Sequence, residues 1–250
     1  MIITSLTNPL IKKFNSLKEK KYRDEFKLFL VEGMDNIIEA KNNNIISDIL
    51  YFGDLDDSLK DLDVNYIEVN KQIIAKLSFN KSFGNIICVC KIIDKNINYD
   101  NFILALDGVQ DPGNGGSLIR SSKAFNFNTV LVSKDSFDIY NDKFIKASKG
   151  YNFSCNLERC DLKKKLVELK EKGYILVGAD VHETAYKLSE FKPVKKMVLV
   201  LGNEGNGLSK EIKDILDQYV YIEMTNNVES LNVAMAGSII MYNISTKECC

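Results

Sequence analysis

The second half of the chain carries short runs that are apolar almost throughout, at residues 102–106, 129–132, 174–177 and 197–201. Runs of four or five residues without polar alternation suit the strands of a parallel sheet covered on both faces. Helical spacing fills the intervals. Asp161 is placed to cap a helix over 162–172 that Gly173 stops, and Ser209 to cap one over 210–216. Residues 229 to about 246 are apolar on most sides and rich in small side chains, which predicts a helix packed deeply or lying at a subunit contact. The first half alternates differently. A helix is expected over 8–21, with Pro9 in its first turn and Leu10, Ile11, Phe14 and Leu17 on one face. It is followed by a strand at 26–32, a helix at 33–42 through Met34, Ile37 and Ile38, strands at 49–52 and 65–69, a short helix at 72–77, and a strand at 86–93. This is the pattern of a small α/β or α+β domain. The polar stretch 94–101 is the expected boundary, giving two domains at 1–95 and 100–250.

Composition narrows the class. At 250 residues, 45% hydrophobic and 27% charged, the chain reads as an ordinary soluble protein with room for two cores. No apolar stretch approaches the roughly 18–20 residues that span a bilayer, and the N-terminus lacks a secretory pattern, so a cytoplasmic location without membrane contact is expected. The formal net charge is −1, so any surface that grips a polyanion must be local. The best candidate is 12–27, with seven basic and three acidic side chains; Lys12, Lys13, Lys20, Lys21 and Arg23 are its candidate nucleic-acid contacts. A solvated helix face laced with i,i+4 pairs is the plain alternative. Six cysteines form no recognisable framework, and one histidine with no Cys-x-x-Cys pair argues against a metal site. Reduced, mostly buried thiols are expected. His182, in a loop after a strand, reads as an ordinary loop residue.

Three segments carry the chemistry: Asp107-Gly-Val-Gln-Asp-Pro-Gly-Asn-Gly-Gly-Ser-Leu-Ile-Arg120, Leu201-Gly-Asn-Glu-Gly-Asn-Gly-Leu208 and Ile222-Glu-Met-Thr-Asn-Asn-Val-Glu-Ser-Leu-Asn-Val233. Each lies where a strand-like run gives way to a Gly/Asn-rich turn and then a helix, which is the ligand-binding edge of a parallel sheet. Glycine lets main-chain groups approach a ligand closely, so a small polar cofactor read through the backbone is expected. Asn114 is placed at or near a helix N-cap, with Arg120 about a turn and a half beyond it.

In order and content these segments resemble the SpoU (TrmH) branch of the SPOUT RNA methyltransferases. The likeness rests on Asn114, Gly116 and Arg120 in the first, Gly202, Glu204, Gly205, Gly207 and Leu208 in the second, and Ile222, Met224, Ser230, Leu231, Asn232 and Val233 in the third. The resemblance implies an α/β fold: a C-terminal SPOUT-type parallel sheet closed by a trefoil knot, preceded by a small L30-like α/β domain that holds RNA. The Thr7-Asn-Pro-Leu-Ile-Lys12 opening and Phe29-Leu-Val-Glu-Gly33 are similar to that smaller domain. It further implies a homodimer that uses S-adenosyl-L-methionine to methylate a ribose 2′-hydroxyl in RNA, without a metal. Ribosomal RNA is preferred over transfer RNA because a separate N-terminal domain suits a large structured RNA.

By the same resemblance Leu201, Gly202, Asn203, Gly207, Ile222, Met224 and Leu231 form the cofactor pocket, and Arg120 is the central catalytic residue. A guanidinium resists deprotonation, so Arg120 is read as a clamp for a substrate phosphate and a stabiliser of the developing alkoxide. Glu204 is either an alternative base or an acceptor that shapes its loop; Asn114, Ser230 and Asn232 are orienting groups. Two positions depart from the family pattern, Glu223 in place of proline and Asn226 in place of glycine, and the first adds a charge beside the pocket. The alternatives are a non-catalytic RNA-binding or ribosome assembly protein on the same scaffold, and a nucleotide-dependent enzyme. The latter is disfavoured because no Gly-x-Gly-x-x-Gly follows the first strand of the second domain and no Gly-Lys-Ser/Thr occurs.

Overall fold

The computed structural model describes residues 2–93, 99–225 and 230–248. Asn226 and the expected helix start at Glu229 fall outside them. The chain divides into two compact units: Met1–Lys95 with Tyr140–Ser154, and Asn96–Ile139 with Cys155–Cys250. The first unit therefore takes a segment that lies within the expected second domain.

In the first unit the Asn8 side chain accepts from the Leu10 amide and Pro9 occupies the first turn of α1 (Pro9–Ser16). The single helix expected over 8–21 is in fact two, because α2 (Lys20–Phe26) starts afresh. Arg23 supplies the reason. It is only 6% exposed, and its Nη1 donates to the carbonyls of Leu17 (2.8 Å) and Lys18 (2.9 Å). A continuous helix would give those carbonyls to amides four residues on. Phe26 accordingly ends a helix, not a strand. Lys27 (φ 53°) turns the chain into β1 (Leu28–Glu32), and Gly33 (φ 86°) turns it into α3 (Met34–Asn42). Next come β2 (Ile46–Tyr51), β3 (Asn65–Glu68), α4 (Lys71–Leu77) and β4 (Ile86–Lys91). The sheet order is β1-β4-β2-β3, with β4 antiparallel to both neighbours and β2–β3 parallel. Helices α1 and α4 cover one face through Ile11, Phe14, Ile73 and Leu77.

The second unit begins with β5 (Phe102–Leu106), α5 (Pro112–Ala124) and β6 (Thr129–Ser133). Then come α6 (Asp142–Ser148) and α7 (Tyr151–Ser154), which belong to the first unit. There the Phe29 ring packs at 4.9 Å from Tyr140 and 5.8 Å from Phe153, and Lys146 pairs with Glu32 at 3.0 Å. The second unit resumes with β7 (Asn156–Cys160), α8 (Leu162–Glu171), β8 (Ile175–Ala179), β9 (Tyr186–Lys187), β10 (Met197–Leu201), α9 (Lys210–Lys213), β11 (Gln218–Tyr221) and α10 (Val233–Glu248). Its seven strands lie in the order β7-β6-β5-β10-β8-β11-β9, every pair parallel. Asp161 caps α8 by accepting from the Lys164 amide, and Gly173 (φ 84°) follows it. Ser209 stands at the cap of a shorter helix than expected, and its hydroxyl makes no capping bond.

Strands β5 and β10 are neighbours, yet the chain leaves β5 through α5 toward β6 on one side and leaves β10 through α9 toward β11 on the other. A crevice opens at such a reversal, outside the carboxyl ends of the strands. Cys88, Cys90, Cys155 and Cys160 are buried and free, and burial pushes the thiols of Cys88 and Cys160 up to about 12. Among the described residues no helix is long and apolar enough to cross a membrane, and no group of three or more His, Cys, Asp or Glu could hold a metal ion.

Candidate active site

The first two motifs meet at the reversal between β5 and β10. Asp111, not Asn114, is the N-cap of α5: its Oδ1 accepts from the amides of Gly113 (2.6 Å) and Asn114 (3.1 Å), while Pro112 occupies the first helical position. Asn114 therefore lies inside the first turn, with its side chain free to link elements. Its Nδ2 donates to Glu204 Oε1 at 2.9 Å, and its Oδ1 accepts from Asn232 Nδ2 at 3.0 Å. Asn232 in turn caps α10, accepting through Oδ1 from the amides of Ala234 (2.9 Å) and Met235 (3.3 Å). One line of hydrogen bonds thus joins all three motifs, from Glu204 through Asn114 and Asn232 to the start of α10.

Glu204 anchors that line. Besides the Asn114 amide it accepts from the backbone amides of Gln110 (3.1 Å) and Asp111 (3.2 Å). Partial burial pushes its carboxyl upward, but the Asn114 side chain and these backbone amides outweigh it and hold the group below its ordinary range. A carboxylate whose oxygens both accept, and whose pKa is depressed, is a poor proton acceptor for catalysis. The geometry favours the loop-shaping role.

The loop after β10 is tight by necessity. Asn203 and Gly207 exchange backbone hydrogen bonds at 2.9 and 3.0 Å, and Asn203 Oδ1 accepts from the amides of Gly205 and Asn206. A Cβ on Gly202 would lie 2.2 Å from the Gly207 carbonyl carbon, so only glycine fits there. The loop is tied to β5 as well: Asn203 Nδ2 donates to the Gly108 carbonyl (2.7 Å), and the Ser209 amide donates to buried Asp107 (2.7 Å). Helix α10 approaches α5 and β10 at Gly237, where a Cβ would lie 2.5 Å from Leu201 and 2.6 Å from Leu118.

Arg120 sits nine residues past the Asp111 cap, about 2.5 turns into α5 by helix geometry, and so lies well beyond the free amides of the helix start. It is exposed and makes no hydrogen bond or ion pair with a described residue.

A second feature lies along the sheet edge, where β8 and β11 end. Ala179, Val220, Ile222, Met224, Leu231 and Ile240 are among the walls of a cleft of about 220 Å³ that Asp180 and Ser230 also reach. Ile222, Met224 and Leu231 thus come together as the sequence reading expects. Leu201, Gly202, Asn203 and Gly207 are outside the described lining; Leu201 packs under α10, and the other three shape the loop. The apolar walls suit a flat purine and the few polar groups suit its hydroxylated sugar, so the residues present fit an adenosine-type cofactor. Glu223 is not among the lining residues; it accepts from Ser189 Oγ at 2.6 Å, and that bond foremost holds its carboxyl below the usual range.

Asp180 was not singled out in the sequence. Its position directly after a buried strand, at the ligand-binding edge, was the available signal. His182 stacks on Tyr219 with ring centroids 4.4 Å apart and shares a hydrogen bond with Thr184. In the first unit Lys12, Lys13, Lys20 and Lys21 are exposed, with Lys13 over the Phe26 ring and Lys21 over the Tyr22 ring. Arg23 does not belong with them, since its guanidinium is buried against the α1–α2 turn.

Comparison with known proteins bears on the family and the fold. Residues 8–87 match the MRM3-like substrate binding domain. The chain is 28% identical over 245 residues to the 23S rRNA (guanosine(2553)-2′-O)-methyltransferase RlmP of Bacillus subtilis (strain 168), covering 97% of this chain and 98% of that one. A solved RNA 2′-O ribose methyltransferase superposes with a TM-score of 0.82 at 27% identity, over the full length of both chains. The SpoU methyltransferase AviRb from Streptomyces viridochromogenes, solved with AdoMet, shares the fold with a TM-score of 0.88 at 24% identity, covering 97% of this chain and 98% of its own. Residues 101–242, which hold all three motifs, match the SpoU rRNA Methylase family, and the chain belongs to that family.

Proposed function

We propose that this protein transfers a methyl group from S-adenosylmethionine to a ribose 2′-hydroxyl of RNA, with ribosomal RNA as its substrate. The observation that carries this reading is the Glu204–Asn114–Asn232 line, which locks three motifs into one site beside an adenosine-sized cleft while leaving Arg120 exposed and unpaired with any described residue. S-adenosylmethionine bound in the cleft supplies an electrophilic methyl group on a sulfonium. Ile222, Met224 and Leu231 hold the adenosine and exclude water from it. Arg120 clamps the RNA phosphate next to the target ribose and stabilises negative charge developing on the 2′-oxygen. The hydroxyl proton passes to water or to that phosphate, because the guanidinium stays protonated and Glu204 is held ionised by its donors. Asn114, Ser230 and Asn232 orient the ribose.

The first unit holds the RNA through exposed Lys12, Lys13, Lys20 and Lys21. The protein works as a homodimer in the cytoplasm, where ribosomal RNA is available to it. Met235, Ile239 and Tyr242 support the dimer: they are 63%, 43% and 57% exposed along α10, which is the side expected to meet a second copy. Ribosomal RNA is favoured by the family match and by the full-length likeness to a 23S rRNA enzyme.

The test is transfer of labelled methyl from S-adenosylmethionine to total cellular RNA, wild type beside Arg120→Ala, with the product digested to nucleosides. A 2′-O-methyl nucleoside in the ribosomal fraction that vanishes in the variant is expected. Label on a base, or cofactor binding with no transfer to any RNA, would sink the reading in favour of a different chemistry or a non-catalytic binder.

A further inference from the structure

Asp180, the residue after β8, is the one charged side chain in the described lining of the cleft. Its backbone is fixed, since its amide donates to the Val220 carbonyl on β11 at 3.2 Å. Its side chain is fixed too: Oδ2 pairs with Lys213 Nζ at 2.6 Å, and this hydrogen bond raises the Lys213 pKa above the ordinary lysine value. No described residue donates to Oδ1. The carboxylate is 27% exposed, so it is neither a solvated surface charge nor a sealed structural ion pair.

A carboxylate accepts hydrogen bonds and donates none, so a ligand group facing Oδ1 must bring donors. Lys213 already balances the charge, which leaves an acceptor rather than a net negative field for a cationic group. An adenosine-type ligand whose purine lies against Ile222, Met224 and Leu231 offers two kinds of donor, the exocyclic amine of the base and the two adjacent ribose hydroxyls, and of these the hydroxyls form a pair on neighbouring carbons. We propose that Asp180, held by Lys213, accepts the ribose 2′- and 3′-hydroxyls of the cofactor's adenosyl group. This assignment rests on the reading of the cleft as the cofactor site. It makes Asp180 a binding residue that discriminates the sugar, distinct from the backbone groups that read the base.

Titration calorimetry on the full chain tests it, using S-adenosylhomocysteine, its 2′,3′-dideoxy analogue and its desamino analogue. The wild type is expected to bind the dideoxy compound about ten-fold or more weakly than the ribo compound, the loss of a hydrogen bond to a charged group. Asp180→Ala is expected to bind both compounds alike, at the weaker affinity, and to keep the wild-type ratio for the desamino analogue. A wild type that binds ribo and dideoxy compounds equally overturns the proposal without need of any variant. So does an Asp180→Ala protein that keeps the ribo preference, or that loses discrimination against the desamino analogue instead. A wild type with no affinity for S-adenosylhomocysteine overturns the cofactor reading as well, which separates the two failures.

Discussion

Two arginines on helices of the two units are used in opposite ways. Arg23, at the α1–α2 turn, is buried and gives its guanidinium to the carbonyls of Leu17 and Lys18. Arg120, past the middle of α5, is exposed and pairs with no described residue, although a hydrogen-bonded polar corner begins six residues before it at Asn114. The first guanidinium stabilises a backbone break; the second makes no such bond with a described residue. The carboxylate of Glu204 is engaged by Gln110, Asp111 and Asn114. A long charged side chain that the fold supports but does not pair is what anion recognition requires.

Substitutions at both arginines sharpen the contrast, and the largest effect is on chemistry. Arg120→Ala should cut the methyl-transfer rate about a hundred- to a thousand-fold, the range for removing a charge-stabilising donor. Its melting temperature should stay at the wild-type value, and its affinity for S-adenosylhomocysteine should change only slightly; a collapse of that affinity would place Arg120 on the cofactor side. Arg23→Ala should do the reverse. Orphaning two carbonyls and opening a cavity should cost about 2–3 kcal/mol in urea denaturation, with turnover per folded molecule retained.

The next effect down concerns the polar corner. Glu204→Gln should destabilise by about 1 kcal/mol or less at neutral pH, because two backbone amides and the Asn114 side chain lose a charged acceptor at an exposed position where solvent screens the charge. The folded-state pKa of Glu204 is depressed, so its contribution is fully present above the ordinary value of 4.5 and is lost as pH falls through the folded value. Stability curves of wild type and variant should therefore converge on acidification below about 4.5; parallel curves would show that the amides do not hold the charge. Smallest of all is Ser189→Ala, which removes the partner of exposed Glu223. No measurable change in melting temperature is expected, with a change in S-adenosylhomocysteine affinity of about two-fold or less, since the exposed Glu223 carboxylate is bonded to Ser189 and is not among the residues that line the cleft.

The buried strands were legible in the sequence because burial on both faces leaves no choice of residue: β5 and β10 run over 102–106 and 197–201 as their apolar runs predict. Edge strands gave no such signal. β7, with the sequence Asn-Leu-Glu-Arg-Cys, is half-buried along most of its length, and β9 has two residues. Their pairing is set by neighbours distant in sequence. The α1–α2 break was unreadable for a related reason, since neither glycine nor proline marks it and a side chain six residues away makes it. At the site, the residues of the three motifs were legible but their division of labour was not. Asn114 looks like a cap because asparagine favours that role, yet Asp111 before Pro112 takes the cap and leaves Asn114 to bridge Glu204 and Asn232. Asp180 was missed because an aspartate after a strand looks like any other loop residue until the cleft beside it is seen.

The placement of Tyr140–Ser154 in the first unit has a consequence for how the chain can be cut. A fragment ending near residue 95 would leave the Phe29 ring without Tyr140 and Phe153, and Glu32 without Lys146. A fragment starting near residue 100 would carry α6 and α7 away from their packing partners, with Phe144, Ile145 and Phe153 stripped of cover. Neither half is separable as a gene segment without leaving a sticky apolar scar. Recombination that exchanges the first unit between relatives must carry residues 140–154 along with it, as two pieces inherited together.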